Sequence, residues 1–280
     1  MGTGVFKNMK EEYPVKKMVF LALALLLALT VFGGPSLAVA ETADAGKAEP
    51  NRFGIIGAMD EEIASLTEAM TELQIRGVAG MDFYEGTLDG VDVVIVKCGV
   101  GKVNAAACTQ ALIDVFGVDR IINTGVAGSL DARIDIGDIV VSTEAVQHDM
   151  DATALGYARG EIPYSDTSVF PADEAMRKSA VEAVGAVAPE IRVFEGRVCS
   201  GDQFIASREQ KEAIIAATGG MCCEMEGAAI AQVCHLNGLP FVIIRAISDK
   251  ADDSEEMSYM EFVQAAAERC AAVTRYMIAH

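Results

Sequence analysis

Histidine is scarce and tryptophan is absent: the 280 residues hold three His (His148, His235 and the terminal His280) and no Trp. No H-E-x-x-H occurs, so a zincin-type metal centre has no ligand set, and no G-x-S-x-G supplies the nucleophile turn of an α/β-hydrolase. The seven cysteines show neither zinc-site spacing nor a disulfide framework, and Cys222 and Cys223 are adjacent. Gly99-Val100-Gly101-Lys102 fails the P-loop pattern, with Val96 at the first glycine position and Val103 in place of Ser or Thr. It also fails the dinucleotide fingerprint, because Asn104 stands at the third glycine. Basic residues are few: 22 Lys and Arg against 41 Asp and Glu leave a formal net charge of −19. So acidic a surface repels nucleic acid and anionic lipid and suits a neutral or cationic ligand. Hydrolytic chemistry would have to run on carboxylates, as glycosidic chemistry commonly does.

What the chain does contain begins with a leader. Lys16 and Lys17 precede an apolar run from Met18 to Phe32, and Ala38-Val39-Ala40 places small residues at a cleavage site. We read residues 1–40 as a secretory signal peptide cut after Ala40, so the protein is expected to be exported, periplasmic or secreted. An uncleaved membrane anchor is the alternative, although the run is short of the roughly 20 residues a spanning helix needs. With no Cys near the cleavage site, a lipoprotein is not expected. The leader carries four Lys and two Glu, so its removal leaves 240 residues with a net charge of −21. That length suits one α/β domain with a full core. Residues 41–51 (ETADAGKAEPN) read as a disordered tether, and 52–280 as the domain. Cys98, Cys108, Cys199 and Cys234 sit among apolar residues, as buried free thiols do, which is cytoplasmic-style usage behind an export signal.

Along the domain, short apolar strands alternate with helical patterns. Strands are expected at Phe53–Met59, Arg120–Thr124, Ile139–Ser142, Val193–Cys199, near Glu226 and at Phe241–Ile247. Phe83–Leu88 and Val91–Lys97 flank Asp89-Gly90 as a hairpin. Ile63, Leu66, Met70 and Leu73 have helical spacing behind Asp60 as N-cap, and further helices read at 101–116, 172–187, 208–218, 228–236 and from Tyr259. The stretch His148–Val169 has no clear period and reads as a long, functional loop. The alternation predicts a single-domain, three-layer α/β/α fold with a central twisted, mixed, mostly parallel sheet. Ligands of such sheets bind beyond the carboxyl ends of the strands.

Five polar turns follow apolar strands: "AMDEE" (Asp60, Glu61, Glu62), "NTGVAGS" with Gly125 and Gly128, "SGDQFI", "EMEG" with Glu224 and Glu226, and "RAISD" with Arg245, Ser248 and Asp249. The acids after the first strand could simply favour the positive end of a helix. Glu226 is harder to explain so, because a buried carboxylate is costly without a partner, and Arg245 within the last strand has the same difficulty. Converging at one sheet edge, they suggest a polar pocket.

The motifs "GIIGAMDEE", "GVGKVNAA", "INTGVAGSL", "GDIVVS", "SGDQFI", "EMEGAAIAQVC" and "VIIRAISDKAD", in that order and over nearly the whole mature chain, resemble those of bacterial 5′-methylthioadenosine/S-adenosylhomocysteine nucleosidases, of the nucleoside phosphorylase/hydrolase superfamily. The resemblance implies cleavage of an N-glycosidic bond with release of adenine and no metal or cofactor. It assigns Asp249 as general acid at purine N7, Ser248 as its support, Glu62 as the base on water with Arg245 as its partner, and Glu226 as acceptor for the ribose hydroxyls beside Met225. Phe204 would stack on adenine and the Ile205 backbone would read its edge. Met59, Val100 and Tyr259 would enclose the 5′ sulfur substituent, completed by Leu155 and Pro163 of a dimer partner. Val126 stands where some members carry Ser, and Tyr259 where Phe is common. Members with a Val-Ala-Gly turn include enzymes acting on 6-amino-6-deoxyfutalosine, so the resemblance leaves the substrate range open. Two rivals remain at this level: a phosphorolytic purine nucleoside phosphorylase, which needs cations for phosphate, and an exported nucleoside-binding protein without turnover, which needs no water-activating base.

Overall fold

The computed structural model describes residues 51–252 and 255–280. The leader expected at 1–40, and all of the expected tether except Asn51, lie outside the described residues. The strands are β1 (Arg52–Gly57), β2 (Thr71–Val78), β3 (Met81–Leu88), β4 (Val91–Lys97), β5 (Arg120–Ser129), β6 (Ile139–Gln147), β7 (Phe170–Pro171), β8 (Val193–Ser200), β9 (Cys222–Glu224) and β10 (Phe241–Asp249). The helices are α1 (Asp60–Glu68), α2 (Lys102–Phe116), α3 (Glu174–Val187), α4 (Arg208–Thr218), α5 (Gly227–Asn237) and α6 (Glu255–Ala279).

The sheet runs β10-β6-β8-β9-β5-β1-β4-β3-β2, and β10 also pairs with β5, so β5, β10, β6, β8 and β9 close on one another while β1, β4, β3 and β2 extend as a wing. Its pairings divide evenly between parallel (β1–β4, β1–β5, β5–β10, β6–β8, β8–β9) and antiparallel. The expected three layers are present. On one face α2 and α5 pack through Ala105, Cys108, Leu112, Ile230 and Cys234; on the other, α1, α3 and α6 pack through Leu66, Ala180, Val184, Cys270 and Val273. Strands β1, β5 and β10 are buried nearly throughout and β4 through its middle, which is why they read as unbroken apolar runs rather than alternating ones. Among the described residues no helix is long and apolar enough to cross a membrane.

The helix expected through Leu73 stops at Glu68, and Thr71–Val78 forms an edge strand instead. This strand is exposed along almost its whole length, so it carries no alternation to announce it. Leu73 continues the helical spacing by coincidence and faces solvent. Asp60 is not the N-cap either: Met59 occupies that position, and Asp60 opens the helix paired with Lys97 at 2.7 Å.

Two local features deliver the site. Parallel neighbours β1, β5 and β10 end at the same sheet edge. A register shift between Ile247 and Asp249 breaks the alternation of β10, so the adjacent residues Ser248 and Asp249 both reach one cavity.

Candidate active site

A cavity of about 440 Å³ lies at that edge, lined by Glu62, Glu224, Glu226, Arg245, Ser248 and Asp249 together with Met59, Val100, Val126, Phe204, Ile205, Met225 and Tyr259. Four carboxylates and one guanidinium from three segments thus share one space, all of them buried.

Glu62, the third residue of α1, caps its own helix from within. Its Oε2 accepts from the Ala58 and Met59 N–H groups at 2.6 and 3.1 Å, and its Oε1 from the Val126 N–H at 3.1 Å. The carboxylate that caps the start of the helix also lines the cavity. Burial raises its proton affinity above the ordinary carboxylate value, against the pull of Arg245 and the three backbone donors.

Arg245 is the hub. Its Nη2 donates to Glu224 Oε2 and to Asn123 Oδ1, and its Nη1 donates to the Val126 carbonyl at 3.3 Å. Glu226 and Glu62 lie within ion-pair range at 3.7 and 3.9 Å. The expected pairing of Arg245 with Glu62 is present as a charge contact at 3.9 Å without a hydrogen bond, while the Glu62 oxygens accept from backbone donors. Glu224 is the hydrogen-bonded partner. Burial works against the guanidinium charge, but Glu224, Glu226 and Glu62 together outweigh it and hold Arg245 ionised.

Glu224 was missed as a site residue. It accepts from the Ser200 hydroxyl and, through Oε2, from the Glu226 and Gly227 N–H groups at 3.1 and 2.7 Å, tying the start of α5 to Arg245. The signal was present in "CCEMEG", two acids one residue apart in an apolar run, but sequence alone does not say which faces the hub. Glu226 then sits at the N-cap position of α5, with Oε1 accepting from the Gly101 N–H at 2.9 Å. Burial, with Glu224 adding repulsion and Arg245 opposing it, pushes Glu226 up to about 7.

Asp249 accepts the Ser248 hydroxyl on Oδ2 at 2.8 Å and the Ala251 N–H on Oδ1 at 3.0 Å. The glycines of "NTGVAGS" make room for side chains: a Cβ on Gly125 would overlap Glu62 and Arg245, and one on Gly128 would lie 2.6 Å from Asp249 Oδ1. At the mouth, Phe204 meets Tyr259 edge-on at 5.6 Å, and the Tyr259 hydroxyl donates to Met59 Sδ at 3.2 Å.

The phosphorylase superfamily model matches residues 52–279. The 5′-methylthioadenosine/S-adenosylhomocysteine nucleosidase of Shewanella loihica is 38% identical over 230 residues, covering 82% of this chain and 99% of that protein. The chain belongs to this nucleosidase family. Among solved structures, the Neisseria meningitidis nucleosidase in complex with methylthio-immucillin-A shares 38% identity and a TM-score of 0.79, covering 82% of this chain and 99% of that one. The futalosine hydrolase of Helicobacter pylori shares 33% identity and a TM-score of 0.78, covering 82% and 97%.

Leu155 and Pro163 are not among the cavity residues; they lie on the stretch between β6 and β7, where Leu155 is 73% exposed. All seven cysteines are free and buried. Cys223 touches the cavity, and burial raises its thiol well above the ordinary value, as it raises Cys98 to about 12, which disfavours the thiolate of both. The described residues hold no metal-ligating cluster of His, Cys, Asp and Glu.

The Glu226 environment has a measurable cost. A carboxyl raised from 4.5 to about 7 in the folded state is ionised against its surroundings above pH 7, a penalty of roughly 3 kcal/mol that vanishes below pH 4.5, where folded and unfolded forms are both protonated. Glu226→Gln is therefore expected to be more stable than wild type at pH 8 and to lose most of that advantage at pH 5. Urea unfolding at the two pH values checks this; an equal difference at both would rule out the ionisation cost as its source.

Proposed function

We propose that the protein hydrolyses the N-glycosidic bond of 5′-methylthioadenosine and S-adenosylhomocysteine, releasing adenine. The observation that carries this reading is the gathering of Glu62, Glu226 and Asp249 around one buried cavity with Arg245. Asp249, held by Ser248, gives its proton to purine N7 so that the base leaves neutral. The sugar left behind is an oxocarbenium-like cation, which three carboxylates stabilise. Glu62 takes the proton of the attacking water, and Glu226 accepts the ribose hydroxyls beside Met225. Phe204 covers the adenine face, and the Ile205 backbone meets its edge. Met59, Val100 and Tyr259 receive the 5′ substituent.

Hydrolysis is favoured over phosphorolysis by charge. Among the described residues lining the cavity Arg245 is the one cation, and its Nη groups are engaged by Glu224, Asn123 and Val126. A phosphate dianion would meet carboxylates in place of a cationic cradle. The protein acts as a homodimer, Leu155 and Pro163 of one copy closing the 5′ pocket of the other; the exposed apolar side chains Val103, Leu155, Tyr164 and Leu236 support such a face. It works outside the cytoplasm, after cleavage of the leader behind Ala40, on external or imported nucleosides.

The test is incubation of the purified protein with methylthioadenosine, S-adenosylhomocysteine, 6-amino-6-deoxyfutalosine, adenosine and inosine, with and without phosphate, following free base. Rapid, phosphate-independent adenine release from the two thionucleosides is expected. Release that requires phosphate, or none at all, would refute the proposal.

A further inference from the structure

Outside the cavity, three charged side chains form a closed ring that links two of its walls. The backbone N–H of Lys102, at the start of α2, donates to Asp202 Oδ1 at 2.8 Å. The Asp202 N–H donates to Asp149 Oδ2 at 2.9 Å, and the Lys102 ammonium closes the ring on Asp149 Oδ1 at 2.6 Å. Lys102 also donates to Gln147 at 3.0 Å. Burial opposes the charge on Asp149, yet the Lys102 ammonium and the Asp202 N–H hold its carboxyl below the ordinary value.

The ring joins three segments. One is the α2 start, where Val100 lines the cavity and the Gly101 N–H holds Glu226. The second is the turn after β8, where Phe204 and Ile205 follow Asp202. The third is Asp149, just beyond β6. Val100 and Phe204, at 50% and 49% exposure, are the two half-open lips of the cavity. Gly101 adopts φ +101°, and a Cβ there would stand 3.1 Å from Asp202 Oδ1, so the backbone is drawn in close to make the link.

We propose that Lys102, Asp149 and Asp202 are positioning residues that set the spacing between the base-covering wall and the ribose-holding wall. This rests on the adenine and ribose roles given above to Phe204, Ile205 and Glu226. None of the three touches the reacting bond, so breaking the ring weakens nucleoside binding before and during reaction alike, which raises KM and spares kcat. The Lys102–Asp149 pair is also partly exposed, with side-chain exposures of 17% and 16%, so its contribution to overall stability is small.

The chemistry of the ring makes the test selective. Asp202 accepts a single N–H, which an amide oxygen also accepts. Asp149 accepts two donors on two oxygens, and an amide must turn its NH₂ toward one of them. Asp202→Asn is therefore expected to keep wild-type KM, whereas Asp149→Asn and Asp202→Ala raise KM for methylthioadenosine about tenfold with kcat within threefold. Melting temperatures should stay close to wild type. If Asp149→Asn folds poorly, the Asp202→Asn and Asp202→Ala pair carries the same contrast. Wild-type KM in Asp202→Ala would overturn the proposal, as would loss of kcat in proportion to a falling melting temperature, which marks a purely structural role. Absence of turnover in the wild-type protein would instead count against the nucleosidase reading itself, and adenine binding by calorimetry then tests the ring directly: binding by Asp202→Ala about tenfold weaker than by Asp202→Asn supports it, and equal binding overturns it.

Discussion

Asp249→Asn is expected to lower adenine release by about 10³-fold while leaving thionucleoside binding within a few-fold of wild type. General-acid assistance typically contributes ~10²–10⁴-fold, and adenine is a poor leaving group without it. The amide is nearly isosteric with the acid, which matters because Gly128 leaves no spare volume beside Oδ1. It retains an oxygen for the Ala251 N–H or the Ser248 hydroxyl, and its NH₂ still donates a hydrogen bond to purine N7. What it cannot do is give up a proton. Ground-state recognition thus survives and the chemical step fails, so the loss should fall on kcat. Single-turnover mixing of enzyme in excess over methylthioadenosine, with binding followed by calorimetry, separates the two. Turnover within tenfold of wild type would remove Asp249 from the acid role.

The buried parts of this fold were the legible ones. β4 carries four consecutive fully buried residues, Val93–Val96, and β10 nine buried residues, so their apolar runs mark them in the sequence. β2 was invisible for the opposite reason: an exposed edge strand has no face to keep apolar, and Leu73 happened to extend the period of α1. At the site, Glu62, Arg245 and Asp249 could be found because each is a charge interrupting an apolar strand or its end. Glu224 was equally conspicuous, but its task depends on where β9 falls against β5 and β8, a pairing that covers only a few residues and leaves no pattern in the chain. Arg245 shows the same limit: its charge contact with Glu62 was legible, its hydrogen bond to Glu224 was not. Sequence offers opposite charges as candidates, whereas the geometry decides which carboxylate still has a free oxygen. The ring of Lys102, Asp149 and Asp202 unites residues 47 and 100 positions apart and has no local signature.

Replacing Arg245 with Met is expected to destabilise the protein at neutral pH by about 3–5 kcal/mol, the cost of leaving buried charge without its counterion. Stability of a single domain is only ~5–15 kcal/mol, so this is a large share of it. The side chain is fully buried, and Met replaces its aliphatic stem but not the guanidinium, so part of the loss is packing. The major part is electrostatic: Glu224, Glu226 and Glu62 would face one another with no cation between them. Glu62 and Glu226 are already raised in the wild type, with Arg245 the charge that restrains both, and its removal drives them higher. A carboxyl raised in the folded state makes folding take up protons, so the variant should regain stability as the pH falls from 8 toward 5. Wild type, with Arg245 in place, should recover less over the same range. Urea unfolding at pH 8, 6.5 and 5 measures this directly. A deficit that stays constant with pH would mean that lost packing, not unpaired charge, is what Arg245 prevents. On the proposed mechanism activity offers no such recovery, because a protonated Glu62 cannot take a proton from water.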